Sequence, residues 1–122
     1  MSKSDLNMLL KQGKIEICPL GFMRGRTFDN SYVIADEMQN ALPSQTKMLL
    51  TRIGYDSKLI LTGDISQCDL LLDEYQIDGL SDLIQKIKYY YKDDYNIFKN
   101  NIALIDFQES DCKRSNFVSK IL

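Results

Sequence analysis

Along this chain, short β-prone apolar runs alternate with longer stretches in which apolar residues recur every three or four positions. Leu6, Leu9 and Leu10 fall on one face of a predicted helix that Ser4 caps and Gly13 ends. Lys14 to Cys18 reads as a short strand stopped by Pro19, and Leu20 to Asn30 as an ordered loop containing Met23-Arg24-Gly25-Arg26-Thr27-Phe28. Ser31-Tyr32-Val33-Ile34-Ala35 is a compact strand pattern that ends abruptly in Asp36-Glu37. Pro43 suits the first turn of a helix running through Met48, Leu49 and Ile53 and closed by Gly54. Lys58 to Thr62 then repeats the earlier arrangement, a buried-looking strand followed by a glycine and an acid, Gly63-Asp64. Leu80, Leu83, Ile84, Ile87 and Tyr91 stripe a further helix, Ile102 to Phe107 reads as another strand, and Phe117, Val118, Ile121 and Leu122 stripe a terminal helix. Strands separated by helices predict an α/β fold in three layers around a mostly parallel sheet, with residues 1–122 forming a single domain.

Composition agrees with a soluble globular domain, since 44% of the 122 residues are hydrophobic and 26% charged. No apolar run approaches the roughly 20 residues that cross a bilayer. The polar start Met1-Ser2-Lys3-Ser4-Asp5 lacks the layout of a secretory signal, so no membrane contact and a cytoplasmic location are expected. Cys18, Cys68 and Cys112 are widely spaced and accompanied by no histidine, which predicts reduced thiols rather than disulfides or a zinc site. A net charge of −2 gives no global attraction to nucleic acid.

The chemistry gathers at the two strand ends. Hydrolysis of a nucleoside triphosphate needs a metal to neutralise the phosphates and a group to position the attacking water. Successive residues leaving a strand point in different directions, so Asp36 is suited to the magnesium shell and Glu37 to the water. Alone, four β-prone residues and two acids read first as a solvated turn. The second strand end, Thr62-Gly63-Asp64-Ile65-Ser66-Gln67, changes that balance by offering an amide, Gln67, to a terminal phosphate in the same crevice.

An extended set of segments carries a family resemblance: Ile15 to Leu20, Arg24 to Phe28, Val33-Ile34-Ala35-Asp36-Glu37-Met38-Gln39-Asn40, Lys47-Met48, Leu50-Thr51-Arg52-Ile53-Gly54, Leu61 to Gln67 with Asp69-Leu70, Asp78-Gly79-Leu80, and Asp111 to Leu122. The chain resembles the PhoH-like family of P-loop ATPases, which are similar to the core of superfamily 1 helicases. The resemblance implies that Asp36 occupies the Walker B magnesium position, that Glu37 is the catalytic base, and that Gly63, Asp64 and Gln67 form the phosphate-sensing motif. Arg24, Arg26, Arg52 and Arg114 match arginines of the family; one or more would neutralise transition-state charge in its own subunit or a neighbour's, and the plain alternative for each is a salt bridge. ATP and Mg²⁺ are the implied ligands, and RNA an implied partner.

One departure outweighs these matches. A phosphate loop needs Gly, four residues, Gly, Lys, then Ser or Thr. The sole Gly-Lys pair, Gly13-Lys14, has Met8 where the first glycine belongs and Ile15 where the hydroxyl belongs. The chain therefore resembles the later part of the domain without its Walker A region. Two functions follow as expectations: part of an ATPase whose phosphate loop comes from an upstream segment or a separate chain, or an inactive module that assembles with PhoH-like partners. Missing sheet neighbours would expose strand edges and promote a homo-oligomer. Smaller departures are Met38 in place of an alanine and Leu42 in place of a capping hydroxyl, with Asn40 as the substitute cap. The tract Lys88-Tyr89-Tyr90-Tyr91-Lys92 reads as a helix end with an outward tyrosine, and secondarily as a stacking surface for single-stranded bases.

Overall fold

The computed structural model describes residues 2–108 and 111. Contacts divide the chain into two compact units, residues 1–83 and residues 84–122.

The first unit opens with α1 (Lys3–Lys11). Its cap is Ser2 rather than the expected Ser4: the Asp5 amide donates to Ser2 Oγ at 3.2 Å and the Ser2 amide donates back to Asp5 Oδ2 at 2.8 Å. The return bond lowers the Asp5 pKa. Gly13, at φ +67°, ends the helix as expected. The strand expected at Lys14–Cys18 does not form. Those residues pair with no neighbouring strand and leave Ile17 82% exposed, so β-prone side chains there lack the ladder that would fix them. Leu20–Phe22 forms one 3₁₀ turn within the predicted loop.

At the centre of this unit lies a parallel pair, β1 (Tyr32–Ala35) and β2 (Lys58–Leu61), with Tyr32 opposite Lys58 and Ala35 opposite Leu61. An isolated parallel bridge, Phe28 to Ile53, precedes both strands and sets their alignment. The expected three-layer sheet is thus represented, among the described residues, by these two strands. Between them runs α2 (Pro43–Leu50), shorter than expected because Ile53 leaves the helix to join the bridge. Asn40 does not cap α2; its side-chain oxygen accepts from the Asp69 amide at 2.8 Å, while the Leu42 amide is satisfied by Gln45 Oε1.

Core residues of this unit include Met23, Met38, Ala41, Leu49 and Leu80. Leu80 belongs to α3 (Gly79–Tyr91), whose first turn falls in the first unit. Buried Asp78 caps it, accepting from the Leu80 and Ser81 amides at 3.0 and 2.9 Å. The Gly79 amide donates to the Ala41 carbonyl at 2.6 Å, an approach so close that a Cβ would stand 2.2 Å from Thr46 Oγ1.

The second unit contains the rest of α3 and a six-residue helix, α4 (Asp94–Lys99), too short for the sequence to show a helical period. Asp93 caps α4, and Ile97 is its buried residue. The strand expected at Ile102–Phe107 does not form: the segment has no ladder partner among the described residues, and Ile105 and Phe107 are exposed. The terminal helix expected around Phe117–Leu122 lies outside the described residues. No helix among the described residues is long and apolar enough to cross a membrane.

Candidate functional site

Because β1 and β2 are parallel and in register, their C-terminal ends emerge side by side, and the loops leaving them are laced together. Thr62, directly after β2, donates its hydroxyl to Asp36 Oδ1, directly after β1. The Met38 amide donates to the Thr62 carbonyl at 3.0 Å, carrying the ladder past the strands. Asp36 is exposed and is held through Oδ1 by the Thr62 hydroxyl.

Glu37 follows in the left-handed conformation, φ +56° and ψ +38°. That region disfavours a residue of this type by about 1–3 kcal/mol. The reversal turns the chain into a 3₁₀ turn, Met38–Asn40, and sends Gln39 beneath the site, where it is fully buried. Gln39 Nε2 donates to Oε2 of the exposed Glu37 at 2.6 Å. Gln39 Oε1 accepts from the Asp64 amide at 3.2 Å.

On the β2 side, Asp64 organises its own turn. Oδ1 accepts from the Ser66 amide and hydroxyl at 2.9 and 2.6 Å, and Oδ2 from Gln67 Nε2 at 2.5 Å. Gly63 is closely packed: a Cβ there would stand 2.5 Å from Gln39 Oε1 and 2.8 Å from Leu80 Cδ2, so those side chains would have to shift. Five of the expected site residues, Asp36, Glu37, Gly63, Asp64 and Gln67, therefore share one corner of the molecule.

The arginines do not join them. Arg26 and Arg52 sit beside the Phe28–Ile53 bridge, at the opposite end of the strand pair. Four residues of strand, at about 3.3 Å each, separate the two ends by on the order of 13 Å. Arg26 forks onto Glu16 at 2.6 and 2.9 Å, donates to Cys18 Sγ at 3.3 Å and lies over the Phe28 ring at 4.9 Å. Glu16 raises the Arg26 pKa, and Arg26 in turn lowers that of Glu16. Arg52 donates to the Arg26 carbonyl at 3.3 Å and to Thr51 Oγ1. Arg24 is exposed, and Arg114 lies outside the described residues.

An open groove of about 590 Å³ follows β1 from Glu16 and Phe28 to Asp36 and Glu37, and no residue of β2 lines it. It flanks the edge of β1 that no described strand covers. One sheet face is also bare, with Tyr32, Ile34 and Ile60 exposed. In the second unit Tyr89 and Tyr90 are exposed and Tyr91 is half-buried, as three consecutive helical positions require.

Sequence reasoning missed Thr62 and Gln39. Thr62 stands in the strand-end motif Thr62 to Gln67, but nothing in that pattern announces its bond to Asp36. Gln39 stands in a polar stretch whose burial depends on the backbone reversal at Glu37, which no periodicity announces.

The structure thus defines a mixed α/β protein with a small parallel sheet and a laced, carboxylate-bearing turn pair at its C-terminal edge. A family model described as PhoH-like protein matches residues 1–122. Among curated proteins, a PhoH-like protein of Bacillus subtilis (strain 168) is 42% identical over 114 residues, covering 93% of this chain and 32% of the relative. Protein PhoH of Escherichia coli (strain K12) is 40% identical over 110 residues, 90% of this chain and 28% of the relative. A PhoH-like protein of Synechocystis sp. is 57% identical over 72 residues, 59% of this chain and 21% of the relative. The chain belongs to the PhoH-like family, and it spans about a third or less of the length of these relatives.

Proposed function

We propose that this chain supplies the magnesium-handling and water-activating part of an ATPase site of the P-loop class, whose phosphate loop comes from a preceding segment or from a separate chain. The observation that carries the reading is the convergence of Asp36 and Glu37 with Gly63, Asp64 and Gln67 at adjacent parallel strand ends.

Magnesium fits as a shared ligand. Among the described residues no three acids, cysteines or histidines gather into a cage. Mg²⁺ needs none: it is commonly held by one or two carboxylates together with phosphate oxygens and water, and Asp36, exposed and held through Oδ1, suits that contact. When bound, the ion would supply neutralisation of phosphate charge. Glu37, with Oε2 fixed by Gln39, presents Oε1 to orient a water and take its proton. Gln67 rests on Asp64 and would transfer its amide to a terminal phosphate oxygen. Arg26 and Arg52, at the other end of the sheet, suit service to a neighbouring copy better than to their own chain's acids. The groove beside β1 suits an added strand, which would bring a phosphate loop to the acids.

Calorimetric titration with Mg·ATP tests this reading, using the chain mixed with the strand, phosphate loop and helix of a PhoH-like relative. Expected is saturable, metal-dependent binding by the mixture, absent from either component and lost in Asp36→Ala. Binding that survives Asp36→Ala contradicts the magnesium assignment. Association of the components without any nucleotide binding supports the second reading, an inactive assembly module.

A further inference from the structure

The Gln39 side chain touches both strand-end turns through opposite ends of a single group. Its amide nitrogen donates to the Glu37 carboxylate at 2.6 Å, and its amide oxygen accepts from the Asp64 backbone at 3.2 Å. Its main chain is fixed as well: Cys68 Sγ donates to the Gln39 carbonyl at 3.1 Å, and the adjacent Asn40 side chain accepts from the Asp69 amide. A primary amide is planar, so its donor and acceptor move together. Gln39 is fully buried, where polar groups are ordinarily hydrogen-bonded. Gly63 completes the arrangement by leaving room for the amide oxygen, which a Cβ would approach to 2.5 Å.

Resting on the ATPase reading above, we infer that Gln39 is a positioning residue that couples the water-orienting carboxylate of Glu37 to the phosphate-sensing turn Gly63–Gln67. If Gln67 leaves Asp64 for a phosphate, the turn shifts at the Asp64 amide. The Gln39 amide follows, and Glu37 Oε2 is carried with it. Water activation is thereby linked to occupancy of the terminal phosphate position.

A double-mutant cycle read by amide NMR of the chain alone tests the bridge without nucleotide. Glu37→Ala should move the Asp64 and Gln67 backbone resonances in the wild-type background. In a Gln39→Met background, which keeps length and removes both hydrogen bonds, the same substitution should leave them in place. Gly63→Ala approaches from the other side and should shift the Glu37 carboxyl carbon; it serves if Gln39→Met does not fold. In the loop-complemented protein, Gln39→Met should lower kcat at least tenfold while KM for Mg·ATP changes by less than a factor of two. Equal Glu37→Ala effects with and without Gln39, or a Gly63→Ala that leaves Glu37 unmoved, overturns the coupling. Intact NMR coupling with no hydrolysis by the complemented wild type refutes the ATPase reading, and with it the catalytic role of the bridge.

Discussion

At the scale of single residues, the site depends on conformations that side-chain type alone does not announce. Glu37 could be placed at a strand end from sequence because four β-prone residues precede it, but its left-handed backbone could not. That reversal is what buries Gln39 and aims it at Asp64. Arg26 shows the opposite limit. Its match to a family arginine was legible, whereas its fork onto Glu16 depends on a contact across ten residues of loop. This ion pair predicts a pH dependence. The folded-state pKa of Glu16 is depressed by Arg26, so its contribution to stability is present above the unfolded glutamate pKa and is lost as pH falls through the folded value. Thermal unfolding of wild type and Glu16→Gln should differ slightly at neutral pH and converge below the ordinary carboxylate range. Both partners are substantially exposed, so the gap should be small and salt-sensitive.

At the scale of elements, the sequence specified those whose ends carry chemical punctuation. Pro43 begins α2, Gly13 follows α1, and the acids after Ala35 and the Thr-Gly-Asp after Leu61 end the two strands. Lys14–Cys18 and Ile102–Phe107 have equally β-prone compositions but find no ladder partner among the described residues. Strand propensity measures fit to a pleated, half-buried surface, and neither segment meets one. α4 was missed because six residues are too few to establish a helical period, although Asp93 is a legible cap. The start of α3 offers the clearest test at this scale. Asp78 satisfies two otherwise unpaired amides and is itself buried, so Asp78→Ala should destabilise the protein by about 1–2 kcal/mol in urea unfolding, where Asp78→Asn should cost less. Equal losses from the two variants would mean that the carboxylate charge, rather than capping, matters there.

At the scale of the whole molecule, the first unit presents a parallel pair whose edges no described strand covers. Parallel sheets ordinarily bury both faces, yet Tyr32, Ile34 and Ile60 are exposed here. Such a surface is suited to receiving additional sheet and helix, which agrees with a chain spanning about a third or less of its PhoH-like relatives. On the proposed reading, the acids and the Gly63–Gln67 turn lie at the end of the sheet where a supplied loop would arrive, and the groove beside β1 runs to the same end. The measurement that bears most directly on this account is steady-state ATP hydrolysis by the chain combined with a loop-bearing segment of a relative. The account predicts magnesium-dependent turnover that Glu37→Gln lowers by about 10²–10⁴-fold, the range of a lost general base, with little change in nucleotide affinity. Turnover that is indifferent to Glu37→Gln would contradict it.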